Sequence, residues 1–293
     1  MTECRIALAI RVRNEWQLVR GLLEQLRPIL DEAWVLDDAS DVPVGPQLDG
    51  IVPRLIHVRA LQWSGSGGKL GEGLQRDYLL QRIKRESRCD WVLQLDADER
   101  IPNVDALARL ATTADVDGWV LPLVDFYITP GDAEFVNPRD PSMVREWFGV
   151  ETRWTMALFR PRRPVYVSRG DVREPQGLRV RRVRESGQCV IEHFGKAISV
   201  AEWERKVDFY SQHYPEYREK WLARRGAAVH NGVSDFGSAL QRRGDPSFDP
   251  TRAPVIHRYR ARNDVRSRAK QLVYGVVGPS RWLVATETRV ITP

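Results

Sequence analysis

Apolar and polar positions follow two periods through the first 125 residues, and the switching between them predicts the elements. Ile6 to Val12 is an apolar run broken only by Arg11, which reads as a buried strand. Asn14 then suits a helix N-cap, with Gln17 three residues on, and Leu18, Val19, Leu22, Leu23 and Leu26 recur at helical spacing until Pro28. Ala33 to Leu36 predicts a second strand running into Asp37-Asp38-Ala39-Ser40. Proline and glycine make Val42 to Pro53 a loop, and Leu55 to Val58 a third strand. Trp63 to Gly73 carries five glycines and two serines and reads as a flexible loop, followed by a helix marked by Leu70, Leu74, Tyr78, Leu79 and Ile83. Trp91 to Leu95 is a strand that ends at Asp96-Ala97-Asp98-Glu99. Pro102 and Asn103 open a helix running to about Ala114, and Gly118 to Val124 is a further strand.

This alternation predicts an α/β fold: an open, mostly parallel sheet with helices on both faces. In such sheets ligands bind beyond the carboxyl ends of the strands, where both acidic clusters fall. After residue 125 the alternation stops. Residues 126–198 read as short strands and loops rich in arginine, proline and aromatics. Ser199-Val200-Ala201-Glu202 is a capping box opening a helix with Val200, Trp203, Val207 and Tyr210 on one face, and residues 199–293 are expected to form a mainly helical C-terminal extension.

Composition changes this picture little. Hydrophobic residues make up 42% and charged residues 29% of 293, which excludes wholesale disorder and allows a sizeable core. No stretch approaches the roughly 18 apolar residues of a transmembrane segment, and the N-terminal run is too short for a signal-peptide core, so a cytoplasmic protein is expected. Cys4, Cys89 and Cys189 are dispersed, which argues against a disulfide framework or a zinc site. Charge adds more. Residues 151–184 hold ten arginines against Glu151, Asp171 and Glu174, and Arg258 to Lys270 is a second basic run, so anionic partners are expected.

The chemistry sits in the acidic clusters. A carboxylate at Asp37-Asp38 can accept a hydrogen bond from the imide N–H of uracil, and guanine N1–H is a similar donor. Asp96 and Asp98, at i and i+2 on a strand end, can act at one site if the chain turns there. Such hard oxygen ligands suit Mn2+ or Mg2+, which also bind phosphate oxygens and neutralise a leaving diphosphate.

In order, Ile-Arg-Val-Arg-Asn-Glu (10–15), Leu-Asp-Asp-Ala-Ser (36–40) and Leu-Asp-Ala-Asp-Glu (95–99) resemble glycosyltransferase family 2, of GT-A fold, and look most like its bacterial lipopolysaccharide-core-type branch. The similarity covers about residues 5–215. It implies a nucleotide-binding half over residues 1–125 and an acceptor-binding half over 126–198. It also implies a nucleotide-sugar donor near Arg11 and Asn14, a uracil-facing Asp38, Asp96 on the ribose or metal side, and Asp98 as metal ligand. Lys69 and Arg76 fall where the family has a mobile loop and a phosphate-side Arg-Asn pair, here Arg76-Asp77. Arg169 to Glu174 resembles the family's Gly-x-Val-His-Glu segment, with Arg173 where histidine is usual. Glu174 is then the candidate general base, with Asp171 as substitute. Glu192-His193-Phe194-Gly195 and the helix carrying Lys206 and Tyr210 resemble a further family step, making His193 a candidate metal ligand or diphosphate contact. Trp147 and Trp154 are candidates for stacking on sugar rings.

The implied reaction is transfer from a nucleotide-sugar, expected to be a UDP-sugar, to an acceptor hydroxyl, expected with inversion, with retention left open by the sequence. The acceptor is expected to be anionic: a glycan, a lipid-linked intermediate met at the inner membrane surface, or a nucleic acid. A nucleotidyltransferase shares the sheet and carboxylate pair, but Arg11 to Glu15 lacks its glycine-rich phosphate loop. A binding module without turnover is the non-enzymatic alternative.

Overall fold

The computed structural model describes residues 4–60, 68–162, 165–166, 174–177, 180–260 and 286–291, and the single positions 265, 269 and 272. In chain order the elements are β1 (Ile6–Val12), α1 (Trp16–Leu26), β2 (Glu32–Asp37), β3 (Leu55–Ala60), α2 (Gly68–Glu86), β4 (Trp91–Gln94), β5 (Glu99–Arg100), α3 (Val104–Ala111), β6 (Gly118–Tyr127) and β7 (Trp147–Phe159). There follow β8 (Val165–Tyr166), β9 (Pro175–Gln176), β10 (Val183–Glu185), β11 (Ile191–His193), α4 (Val200–His213), α5 (Arg218–Leu222), β12 (Leu240–Arg242), β13 (Val255–Arg258) and β14 (Thr286–Ile291).

Alternation of side chains along β1 explains the layers. Ile6, Leu8, Ile10 and Val12 share one apolar cluster with Leu18, Leu22 and Leu26 of α1 and Leu107 of α3. Ala7 and Ala9 face the other way, into a cluster with Leu79, Leu80 and Ile83 of α2. Helices therefore cover both faces, as the periodicity predicts. The sheet runs β14-β3-β2-β1-β4-β7-β6-β11-β5, with β10 beside β6 and with β12 and β13 beside β7. β3, β2, β1 and β4 are parallel, and β7 lies antiparallel between β4 and β6.

Two expectations need correction. Asn14 is not the cap of α1: Glu15 holds that position without a side-chain cap bond, and Asn14 sits at φ 59°. Its side chain instead exchanges hydrogen bonds with Asp41, and its N–H donates to Ser40 Oγ at 2.9 Å, tying the β1 exit to the loop after β2. Residues 68–73 are helix, not loop; packing of Leu79, Leu80 and Ile83 outweighs the roughly 1 kcal/mol that each helical glycine costs. Residues 63–67 of that expected loop lie outside the described residues. The C-terminal extension opens with α4 and α5, where Ser199 Oγ accepts from Glu202 N as the capping box requires. After Gly226 the described chain also holds strands, while positions 265, 269 and 272 are helical. β12 and β13 join β7, and β14 pairs antiparallel with β3. Among the described residues no helix is long and apolar enough to cross a membrane.

Candidate functional site

The carboxyl ends of β1, β2 and β4 assemble the first part of the site. Asp37 closes β2 and is consumed structurally: its carboxylate accepts from the N–H groups of Ser40 and Val44. His57 lies 3.5 Å away. Burial pushes its pKa up, but hydrogen bonds to His57, Ser40 and Val44 outweigh that and hold it below the ordinary value. Asp38, the next residue, is fully buried and turned toward β1. Arg11 donates to its Oδ2 at 2.6 Å and Gln75 to its Oδ1 at 2.6 Å, while Arg11 Nε also bonds Gln75. Arg11 and Gln75 thus take one acceptor direction on each carboxylate oxygen. Gln75 carried no signal in the sequence beyond its place beside Arg76.

The turn after β4 separates the two aspartates. Asp96 Oδ1 accepts from Arg76 at 2.8 Å, and Arg76 also bonds Glu72. Asp98 points elsewhere, toward β11 and α4. Its Oδ2 accepts from Lys206 at 3.2 Å, and its Oδ1 stands 3.7 Å from His193 Nε2. The pairing of β11 with β5, which sets His193 against Glu99, creates that approach, and Phe194 N–H donates to the Asp98 carbonyl at 2.7 Å. Gly195 is required there, since a Cβ would lie 2.6 Å from His193 Nε2 and 2.9 Å from the Asp98 carboxylate. Burial raises the Asp98 pKa, but Lys206 and His193 outweigh it and hold it low.

Behind His193 lies a network that sequence reasoning missed. Its Nδ1 is 2.6 Å from Asp125 Oδ1, so the ring donates there and leaves Nε2 facing Asp98. Arg153 and Lys196 also bond Asp125, and Lys196 continues to Asp235 at 2.5 Å. Burial pushes Asp125 up, yet Lys196 and Arg153 hold it well below the carboxylate range. These residues come from β6, β7, and the loops after β11 and α5, which no local pattern connects.

Glu15 is a second missed group. Burial pushes it up to about 7, with Lys206 opposing and Asp98 adding to the rise. Below about pH 4.5 it is protonated whether the chain is folded or not. Between there and about 7 the unfolded chain has lost a proton that the fold keeps, so stability falls as pH rises. Glu15→Gln is accordingly expected to raise Tm at pH 8, by about 2–4 °C for a net gain near 1 kcal/mol, and to change it little at pH 5. Melting curves at the two pH values check this. An equal shift at both contradicts the assignment.

The donor set fits a divalent ion. Asp98 Oδ1 and His193 Nε2, 3.7 Å apart, are a carboxylate oxygen and an imidazole nitrogen, donor types that suit Mn2+. Among the described residues no three His, Cys, Asp or Glu converge on one point. Asp98 and His193 would hold it, whereas Asp96 is engaged by Arg76.

The remaining expected residues divide. Glu174 is buried, at 8% exposure, and its Oε1 meets His257 Nε2 of β13 at 2.5 Å. Asp171 lies outside the described residues, as does the side chain of Lys69, whose backbone belongs to α2. Trp154 is 2% exposed and forms core under Arg258, so it offers no stacking face, while Trp147 is half-exposed. Part of the arginine-rich segment is structural: Arg160 donates to the carbonyls of Val116, Thr113 and Ala114 and covers the Trp91 ring. Most of the second basic run falls outside the described residues.

Parallel β3-β2-β1-β4, followed by antiparallel β7 and then β6, with acidic residues at the carboxyl edge, decides the fold class. The fold is of the GT-A type. No family model matches the chain, and comparison with curated proteins gives no match. Among solved structures it is similar to glucosyl-3-phosphoglycerate synthase from Mycobacterium tuberculosis in complex with Mn2+, UDP-glucose and phosphoglyceric acid. There the identity is 18%, with 45% of this chain and 48% of that chain covered and a TM-score of 0.28. For the same enzyme with Mg2+ and UDP the figures are 18%, 42%, 44% and 0.28. A structure described only as a mycobacterial protein matches at 15% identity over 86% of this chain and 84% of that one, with a TM-score of 0.32. The match to the synthase spans about half of that enzyme's length.

Proposed function

We propose that this chain is a metal-dependent glycosyltransferase that moves a sugar from a UDP-sugar to an acceptor hydroxyl with inversion. One observation carries the reading. The edge of the sheet that holds a buried, arginine-bonded carboxylate, Asp38, also holds an Asp98–His193 donor pair with Lys206 beside it. The first can accept from the uracil imide, and the second can hold an ion against the diphosphate. Arg11 and Arg76, ion-paired with Asp38 and Asp96, would add positive charge toward the phosphates. When bound, the ion supplies Lewis-acid neutralisation of the departing diphosphate. Lys206 stands where it can bond the same phosphate oxygens, and His193 is kept open at Nε2 by its Nδ1 bond to Asp125. The acceptor hydroxyl attacks the anomeric carbon from the face opposite the leaving group and gives up its proton. The acceptor is an anionic glycan or lipid-linked molecule, drawn by arginines of the 151–184 segment. Membership of glycosyltransferase family 2 rests on the three sequence segments that resemble it.

Thermal melting with UDP, GDP, ADP and CMP, each with and without Mn2+, tests this. UDP is expected to raise Tm, more strongly with the metal. A shift confined to another nucleotide contradicts the base assignment, and no shift with any of them contradicts the donor site.

A further inference from the structure

Helix α4 brings Lys206 to the metal side of the site. Its ammonium donates to Asp98 Oδ2 at 3.2 Å and to the Gly195 carbonyl at 3.0 Å, which turns this face of the helix toward the Asp98–His193 pair. Tyr210 stands one turn further along the same face. Residues four apart on a helix are neighbours, so a ligand bonded by Lys206 is within reach of the Tyr210 side chain.

The Tyr210 ring is held by other rings. Trp221 of α5 stacks on it with centroids 4.6 Å apart and planes 10° from parallel, Tyr214 lies 5.1 Å away, and Phe209 meets it edge-on at 5.5 Å. These contacts use the ring and leave the hydroxyl, which has no hydrogen-bond partner among the described residues. The surroundings of the phenol come from three elements. Burial pushes its pKa up to about 12, with Lys206 opposing and Glu72, Tyr214 and Glu15 adding to the rise. Glu72, on α2, accepts from Arg76 at 2.8 Å, and Arg76 bonds Asp96 at 2.8 Å. Glu15, at the start of α1, is 3.8 Å from Lys206, which bonds Asp98. One neighbour thus belongs to the Asp96 branch of the site and the other to the Asp98 branch, and the phenol stands between the two.

We infer that the Tyr210 hydroxyl donates a hydrogen bond to a non-bridging oxygen of the donor diphosphate, with the ring held for that contact by Trp221. The inference rests on the UDP-sugar reading of the site. A phenol that keeps its proton to about pH 12 is a donor at any working pH. A phosphate oxygen, charged and without a proton, is the acceptor that the protein itself does not give it. The same raised pKa makes Tyr210 a poor base, so its part is binding and not proton transfer. Lys206 supplies charge to the diphosphate, and Tyr210 supplies direction.

Calorimetry on the full chain with Mn2+ present, using UDP and uridine, tests this. Tyr210→Phe keeps the stacked ring and removes one oxygen, so it is expected to melt with the wild-type Tm. Its UDP affinity is expected to fall about 10-fold, while its uridine affinity stays unchanged, because uridine lacks the phosphates. Wild-type UDP affinity in the variant, or an equal loss for uridine, overturns the inference and leaves the UDP-sugar reading standing. Failure of the wild-type chain to bind UDP overturns both.

Discussion

Asp98→Asn is expected to lower metal-dependent UDP release by about 1,000-fold or more without unfolding the chain. The amide keeps the volume and can still accept from Lys206, so the turn between β4 and β5 is retained. What disappears is the negative charge that now balances Lys206 and helps hold His193. Two consequences separate this from simple damage. The enhancement of UDP binding by Mn2+ should vanish, because one of two protein donors has lost its charge. Metal-free UDP binding should stay the same or tighten, because the site has become more positive. Calorimetry with and without Mn2+ reads both. Retained Mn2+ enhancement in the variant contradicts the role of Asp98.

The second large effect is on stability. Arg100 has no exposed surface, yet its guanidinium donates to the carbonyls of Ala97 at 2.9 Å, Glu99 at 2.7 Å, Leu18 at 3.2 Å and Arg139 at 2.6 Å. It bolts the Asp96–Glu99 turn to α1 and to the loop before β7. Burial lowers its pKa, with Asp140 and Asp98 opposing. Arg100→Met fills much of the volume but takes a donor from three buried carbonyls and a part-buried one, with a cost of about 3–5 kcal/mol and a fall in Tm of roughly 8 °C or more. Arg100→Lys should recover only part, since an ammonium cannot reproduce the planar fork. Thermal and urea unfolding measure both variants, and a Tm within about 2 °C of wild type for Arg100→Met contradicts this account.

The elements that were legible are those whose stability is local or whose burial is periodic. β1, β2, β3, α1 and α3 could be read because Ile6 to Val12 is apolar throughout, Leu18 to Leu26 repeats at helical spacing, and Asn103 caps as asparagine does. The places of Asp38 and Asp98 at the carboxyl edge of the sheet were legible because each follows an apolar strand. The start of α2 was not, because glycine's local preference was overridden by packing against the sheet. His193 could be flagged, but its partners could not. Its approach to Asp98 depends on β11 pairing with β5, and its orientation depends on Asp125, 68 residues away. Where Arg173 stands in place of the histidine expected from the family resemblance, an imidazole reaches the neighbouring glutamate from another strand.

The most direct test of the central claim is an anomalous difference map from crystals grown with Mn2+ and UDP. The account expects one peak bonded to Asp98 and His193 Nε2 and to the diphosphate, with the uracil imide on Asp38. UDP bound with the manganese peak elsewhere, or with no peak at all, contradicts it.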